Sequence, residues 1–218
     1  MIKAHDLRSR LVDSSGSVGA KMRLRRWQLF EQLFPKLEAM SVLDLGGRLE
    51  SWTRAPLRPA YVHVVNLEDP PDELPDWATA ERADVCELSD DFSRRHFDLV
   101  FSNSLIEHVG GHYRREQLAT VVRRSAQQYW VQTPYRYFPV EPHFLFPGFQ
   151  FMPATARAGV ARRWPLLHTP SSDRTNAVST VLSTELIGRT EMKFYFPDSV
   201  IYSERIAGVT KSLIAVKR

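Results

Sequence analysis

What most constrains this chain is a series of strand-length apolar runs, each emptying into polar residues at a regular interval. "SVLDLGG" ends on Asp44, Gly46 and Gly47, and "YVHVVNL" ends on Asn66 and Leu67 and runs into Glu68 and Asp69. "ADVCEL" carries Asp84 and Val85, and "FDLVFSN" delivers Ser102 and Asn103. Asp44 to Asn66 spans 22 positions, Asn66 to Asp84 spans 18, and Asp84 to Ser102 another 18, one crossover unit each. Apolar strands separated by helical or mixed segments are the pattern of a parallel sheet covered on both faces. In such a sheet, ligands sit at the carboxyl ends of the strands, near the point where strand order reverses. The polar residues after each run therefore read as a binding rim laid out strand by strand.

The remaining segments extend the plan. Residues 1–20 are polar and broken by "DSSGSVGA", a loosely docked arm. "KMRLRRWQLFEQLF" has near-helical apolar spacing until Pro35 stops it. Its Arg23, Arg25 and Arg26 form a basic side that reads as solvated, with a phosphate or membrane surface as the sharper alternative. "QYWVQT" is another strand, preceded by a helix from about Tyr113. In the tail, "STELIGRTEMKFYF" resembles a helix opened by Ser183 or Thr184, and "SVIYSERIAG" with "TKSLIAVKR" forms a hairpin turning at Gly208. A chain of 218 residues suits one domain. Its expected parts are an N-terminal arm and helix (1–40), a ligand-binding half (41–132), an insertion (133–179) and a C-terminal helix and hairpin (180–218).

Composition excludes several classes. The single cysteine, Cys86, rules out an internal disulfide framework and a cysteine-rich zinc site, and points to a reducing, cytoplasmic setting. No apolar run approaches the roughly 18 residues of a membrane-spanning helix, and the N-terminus lacks a signal-peptide core. A net charge of +4 with both signs mixed does not by itself mark a nucleic-acid binder. Apolar surface on the insertion or the N-terminal helix would support a homodimer without requiring one.

With those motifs in place, residues 41–218 resemble class I methyltransferases dependent on S-adenosylmethionine, of the small-molecule type. "VLDLGGRLES" looks like the family's acid-plus-glycine loop around the methionine moiety, "VVNLED" falls where the ribose is held, and "ADVCEL" looks like the adenine-contacting turn. "FDLVFSNSLIEHV" is similar to the fourth motif and is the most specific match. The resemblance implies a Rossmann-like fold: a seven-stranded mixed sheet with an antiparallel last strand, helices on both faces and a substrate-binding insertion after the fifth strand. It implies cofactor contacts at Asp44, Gly46, Gly47, Asn66, Leu67, Asp84, Val85, Ser102 and Asn103. Two positions depart from the family: Arg48 stands where a small residue is usual, and Asn66 where an acid holds the ribose, a role Glu68 could take. A nicotinamide dehydrogenase would instead need G-x-G-x-x-G after the first strand, which residues 46–51 do not supply.

Methyl transfer is an in-line displacement governed by positioning, and a hydroxyl acceptor additionally needs a base or a metal to remove its proton. Histidine titrates near neutrality, and a neighbouring carboxylate strengthens it as a base. His143 with Glu141, in "VEPHF", and His108, in "IEHVGGH", are therefore the catalytic candidates; a structural loop histidine is the alternative for each. Tyr135, Tyr137, Glu107 and His112 are candidates for the acceptor. If Mg2+ takes part, Glu107, Glu141 and Asp69 are the oxygen ligands on offer. The 133–179 segment is far longer than an ordinary connection, so it forms a lid or inserted substructure, its phenylalanines either walling a pocket or packing a satellite core. The sequence thus reads as an O-methyltransferase for a small hydroxylated molecule such as a saccharide or natural-product intermediate. An RNA or protein methyltransferase is the alternative within the fold, although the "NPPY"-like run of base methylation is absent. A non-catalytic S-adenosylmethionine-binding protein is the alternative outside catalysis.

Overall fold

A computed structural model describes residues 14, 16–89, 92, 96–166 and 173–218. Most of the expected N-terminal arm lies outside the described residues. Helix α1 (Val18–Leu33) begins three residues before the apolar run because the Ser17 hydroxyl caps it, accepting from the Ala20 amide at 3.0 Å. Strands β1 (Ser41–Leu45), β2 (Tyr61–Asn66), β4 (Phe97–Asn103) and β5 (Ala126–Pro134) fall on the apolar runs. Helix α2 (Leu49–Thr53) follows the glycine turn and α3 (Gly111–Ser125) precedes β5. Strand β3 (Ala78–Arg82) is absent from the expectations, because "ATAER" is a half-exposed edge strand with no apolar run.

The sheet order is β3-β2-β1-β4-β5-β9-β8, with β1 to β5 parallel and the hairpin β8 (Val200–Ile206) and β9 (Val209–Lys217) antiparallel. The hairpin turns on Ala207 and Gly208, both with positive φ (49° and 82°), the two-residue turn whose twist matches the strands. Strand order reverses between β1 and β4. One core lies on each face: Leu43, Val100, Leu118 and Tyr129 on one side, and Phe30, Trp52, Leu99 and Trp130 on the other.

Two expectations are corrected. The last helix, α6 (Arg189–Tyr195), starts at a Gly188 cap whose amide donates to Glu191, five residues after Ser183. Residues before it run extended, with Ile187 bridging to Tyr135 beside β5. The basic side of α1 is not simply solvated: Arg26 donates through two nitrogens to Glu204, at 2.8 and 2.7 Å, and through a third to Asn103 and Gln132. The inserted region folds as the short hairpin β6 (Val140–Glu141) and β7 (Phe146–Pro147) with helices α4 (Ala154–Ala161) and α5 (Arg174–Leu182), so α5 runs across residue 179. These pieces share a small core of their own around Phe144, Phe149, Ala161, Ala177 and Val181.

Candidate functional site

The glycine turn after β1 is dictated by its neighbours. Gly46 has φ +77°, and a Cβ there would meet Leu105 at 2.6 Å; a Cβ on Gly47 would lie 1.9 Å from the Asp44 carboxylate. Asp44 is buried beneath the turn, where one oxygen accepts from the Trp52 indole at 2.7 Å and the other has no partner. Burial pushes its carboxyl up to about 7, with the Trp52 hydrogen bond pulling the other way. Asn66, at the end of β2, spends its amide hydrogens on the Gly46 and Gly47 carbonyls, at 3.3 and 2.8 Å. It holds the turn from behind, and Glu68 is paired with Arg48 across the mouth. A cleft of about 300 Å3 opens here, lined by Gly47, Arg48, Asn66, Glu68 and Asp69.

The rest of the rim is mixed. Ser102 is buried and donates to the Leu45 carbonyl, so it ties β4 to β1. Asn103 is exposed and holds Arg26, Leu67 is exposed, and Val85 is a core residue. Asp84 accepts a two-nitrogen fork from Arg114, at 2.7 and 2.6 Å; burial opposes this, but the guanidinium and the Cys86 amide keep its carboxyl below the usual range. The glycine turn and the open cleft can take an elongated ligand, with the buried Asp44 carboxyl beneath the turn.

A second set gathers around the carboxyl ends of β4 and β5. Glu107, fully buried, accepts from the Thr133 hydroxyl at 2.8 Å through one oxygen, while its other oxygen has no partner. Burial raises its pKa. Glu141 accepts from His143 Nδ1 at 2.6 Å and from the Phe144 amide at 2.7 Å. The rings of His108 and His143 meet edge to face with centroids 4.9 Å apart, and His108 Nδ1 lies 3.3 Å from the Ser183 carbonyl. His108 keeps an exposed rim, yet crowding by surrounding atoms and the adjacent His143 push its pKa below the usual range. Because each Nδ1 faces an oxygen acceptor, each ring in its neutral form is held in the tautomer whose Nε2 carries the lone pair.

Among the described residues, Glu107, His108 and His143 offer ligand atoms within 4.8 Å of one another. The oxygen-rich Mg2+ set considered from sequence is not what the fold assembles: Asp69 pairs with Arg82, and Glu141 is committed to His143 and Phe144. Two imidazoles and one carboxylate suit zinc or manganese better than magnesium. Of the acceptor candidates, Tyr135 and Tyr137 stack edge to face at 5.5 Å beside the insertion. His112 is directed elsewhere, to the Tyr195 hydroxyl at 3.0 Å and towards Glu116. Sequence reading missed Thr133, Trp52 and Arg26. None sits at a motif spacing, and each acts across 8 to 178 positions of chain.

No protein-family model and no curated protein matches the sequence. In structure the chain is similar to the methyltransferase domain of bacterial CtHen1, with a TM-score of 0.53 at 14% identity over 90% of this chain and 98% of that one. It is similar to an O-methyltransferase family protein from Burkholderia thailandensis, at 0.56 and 13%, over 91% of this chain and 57% of that one. The DhpI–SAH complex aligns at 0.54 and 13%, over 99% and 94%. These likenesses, with the observed strand order, show the Rossmann-like class I methyltransferase fold expected from the sequence.

Proposed function

We propose that this protein transfers a methyl group from S-adenosylmethionine to a hydroxyl of a small molecule, such as a saccharide or natural-product intermediate. The observation that carries the reading is the pairing of a glycine turn floored by Asp44 with a histidine–carboxylate cluster one strand away, both at the carboxyl edge of the sheet. The cofactor fits this edge: the turn lets a ligand approach the backbone, and the positive charge that a sulfonium and an ammonium bring to the cleft would draw the buried Asp44 carboxyl, raised to about 7, into its ionised form. When bound, S-adenosylmethionine supplies an electrophilic methyl.

The chain's own residues do the rest. Glu141 holds His143 in the tautomer that takes a proton at Nε2, so His143 serves as general base for the acceptor hydroxyl. Glu107, buried with a raised pKa, supports the histidine pair from the protein side, and His108 shapes the mouth. Positioning of the acceptor by the insertion provides most of the remaining gain. Two measurements test the reading. Calorimetric titration should show S-adenosylmethionine binding, and its absence sinks every catalytic version. With a hydroxylated acceptor identified by mass spectrometry, His143→Gln should lower turnover about 100-fold, within the usual range for a general base, with cofactor affinity kept. Undiminished turnover would remove His143 from the base role.

Two observations support the alternative of a non-catalytic cofactor-binding protein: Asn66 is consumed by the turn, and Arg48 is paired with Glu68 at the cleft mouth. The same titration followed by the acceptor assay separates it. Removal of divalent ions by a chelator distinguishes base from metal. The base reading expects turnover to persist, whereas a loss restored by zinc or manganese would recast Glu107, His108 and His143 as a ligand set.

A further inference from the structure

The inserted segment encloses a second cavity of about 260 Å3, walled by Phe144 and Phe149 and edged by Arg136, Gln150, Arg157 and Glu185. Most of its charged groups are satisfied within the protein. Arg136 donates to Glu191 at 2.8 Å and to the Leu186 carbonyl at 2.7 Å; Glu185 accepts from Arg115 at 2.7 Å. Glu141, also on the wall, is held by His143 and the Phe144 amide. Arg157 is the exception. Its side chain has no hydrogen-bond or ion-pair partner among the described residues, and its Nε is buried and unsatisfied. Gln150 is the second exception: its amide nitrogen donates to the Arg136 and Phe138 carbonyls at 3.0 and 2.6 Å, which fixes the amide's orientation, and its buried Oε1 receives nothing.

A buried donor of a guanidinium and a buried amide oxygen, both unmet, cost stability unless something fills them. Together they specify the missing partner: an anionic oxygen for Arg157 and a hydroxyl donor for Gln150. The stacked rings of Phe144 and Phe149, with centroids 3.9 Å apart, add an apolar wall. The cavity also adjoins the histidine cluster, because Glu141 on its wall is hydrogen-bonded to His143, and Thr184 on its wall lies 3.3 Å from His108 Nδ1.

We infer that this cavity binds the acceptor, and that the acceptor is a small hydroxylated acid whose carboxylate or phosphate is held by Arg157 and one of whose hydroxyls is held by Gln150. Naming the ligand as the acceptor rests on the proposed methyl transfer; the anion site itself does not.

The test titrates the full chain with inorganic phosphate, glucose 6-phosphate, glucuronate and neutral glucose, following each ligand by saturation-transfer NMR. At least one anion should bind about tenfold or more tighter than glucose, a difference within reach of one charge-assisted contact; which one binds tells phosphate from carboxylate. Arg157→Gln should abolish that preference. Should Arg157→Gln fail to fold, Arg157→Met keeps an unbranched apolar stem without the charge and should abolish it equally. Failure of every anion to outbind glucose, or a preference surviving both substitutions, overturns the proposal. Parallel titration with S-adenosylmethionine keeps the two readings apart: anion binding without cofactor binding refutes methyl transfer alone, and cofactor binding without anion preference refutes this site alone.

Discussion

At the scale of single residues, Asp44 is the most consequential. Its carboxyl rises from 3.8 to about 7 because it is buried, with the Trp52 hydrogen bond opposing the rise. Between those values the unfolded chain is ionised while the folded chain keeps its proton, so stability should fall as pH climbs through this window and level off above it. From pH 5 to pH 8 the loss from this group should be about 3 kcal/mol at most, measured by urea denaturation, and Asp44→Asn should lessen the dependence, with the buried Glu107 carboxyl still contributing in the same direction. A variant as pH-dependent as the parent would show the carboxylate is relieved by some other group. Beside it, Gly47→Ala would thrust a Cβ to 1.9 Å from that carboxylate. Overpacking of this kind costs about 1–3 kcal/mol, and cofactor binding should fall with it. "DLGG" marked both positions in the sequence. The Trp52 partner was not legible, because an indole eight residues on meets Asp44 only after α2 turns back.

Elements were legible where periodicity is strong and hidden where a cap or an edge decides. The buried strands β1, β2, β4 and β5 announce themselves as apolar runs; β3 does not, since an edge strand has little apolar side chain to show. Helix α6 starts late because the apolar residues before it, Leu186 and Ile187, are buried in extended backbone. The docking of α1 shows the same limit. Its aromatic side was readable, with Phe30 edge to face on Trp130 at 5.2 Å and Trp27 on Trp52 at 5.6 Å. Its electrostatic clamp was not. Arg26 and Glu204 are both mostly buried, at 15% and 6% side-chain exposure, so removing one partner strands the other. Glu204→Met should destabilise the fold by about 2–4 kcal/mol, and the Arg26→Met, Glu204→Met pair by less than the sum of the two single changes. Chemical denaturation of the four proteins in the cycle decides it, and strict additivity would mean the contact carries no coupling.

For the whole molecule, the sequence spacing and the sheet order express one constraint. Parallel strands joined by crossovers leave their carboxyl ends on one edge, and the reversal between β1 and β4 opens a crevice there, which is why residues 18 to 22 positions apart could be read as one rim. That logic stops at the insertion, whose residues follow no sheet period and build a separate small core around Phe144, Phe149 and Val181. Separate cores imply separable stability. The insertion leaves and returns at adjacent points, since the Arg136 amide donates to the Ile187 carbonyl at 3.1 Å, so a short glycine linker from Arg136 to Glu185 could replace it without stretching the sheet. The excised protein should still unfold cooperatively and bind S-adenosylmethionine within about tenfold of the parent, because the glycine turn, Asp44 and Asp84 are held by β1, α2 and α3. It should lose acceptor binding and turnover completely, since His143 and Arg157 leave with the insertion. Circular dichroism melting with cofactor calorimetry reads both expectations. A linker protein that no longer folds would overturn the separability of the two cores, and would mean that the insertion, through contacts such as the His143 side of the Glu107 cluster, is itself part of what holds this edge of the sheet together.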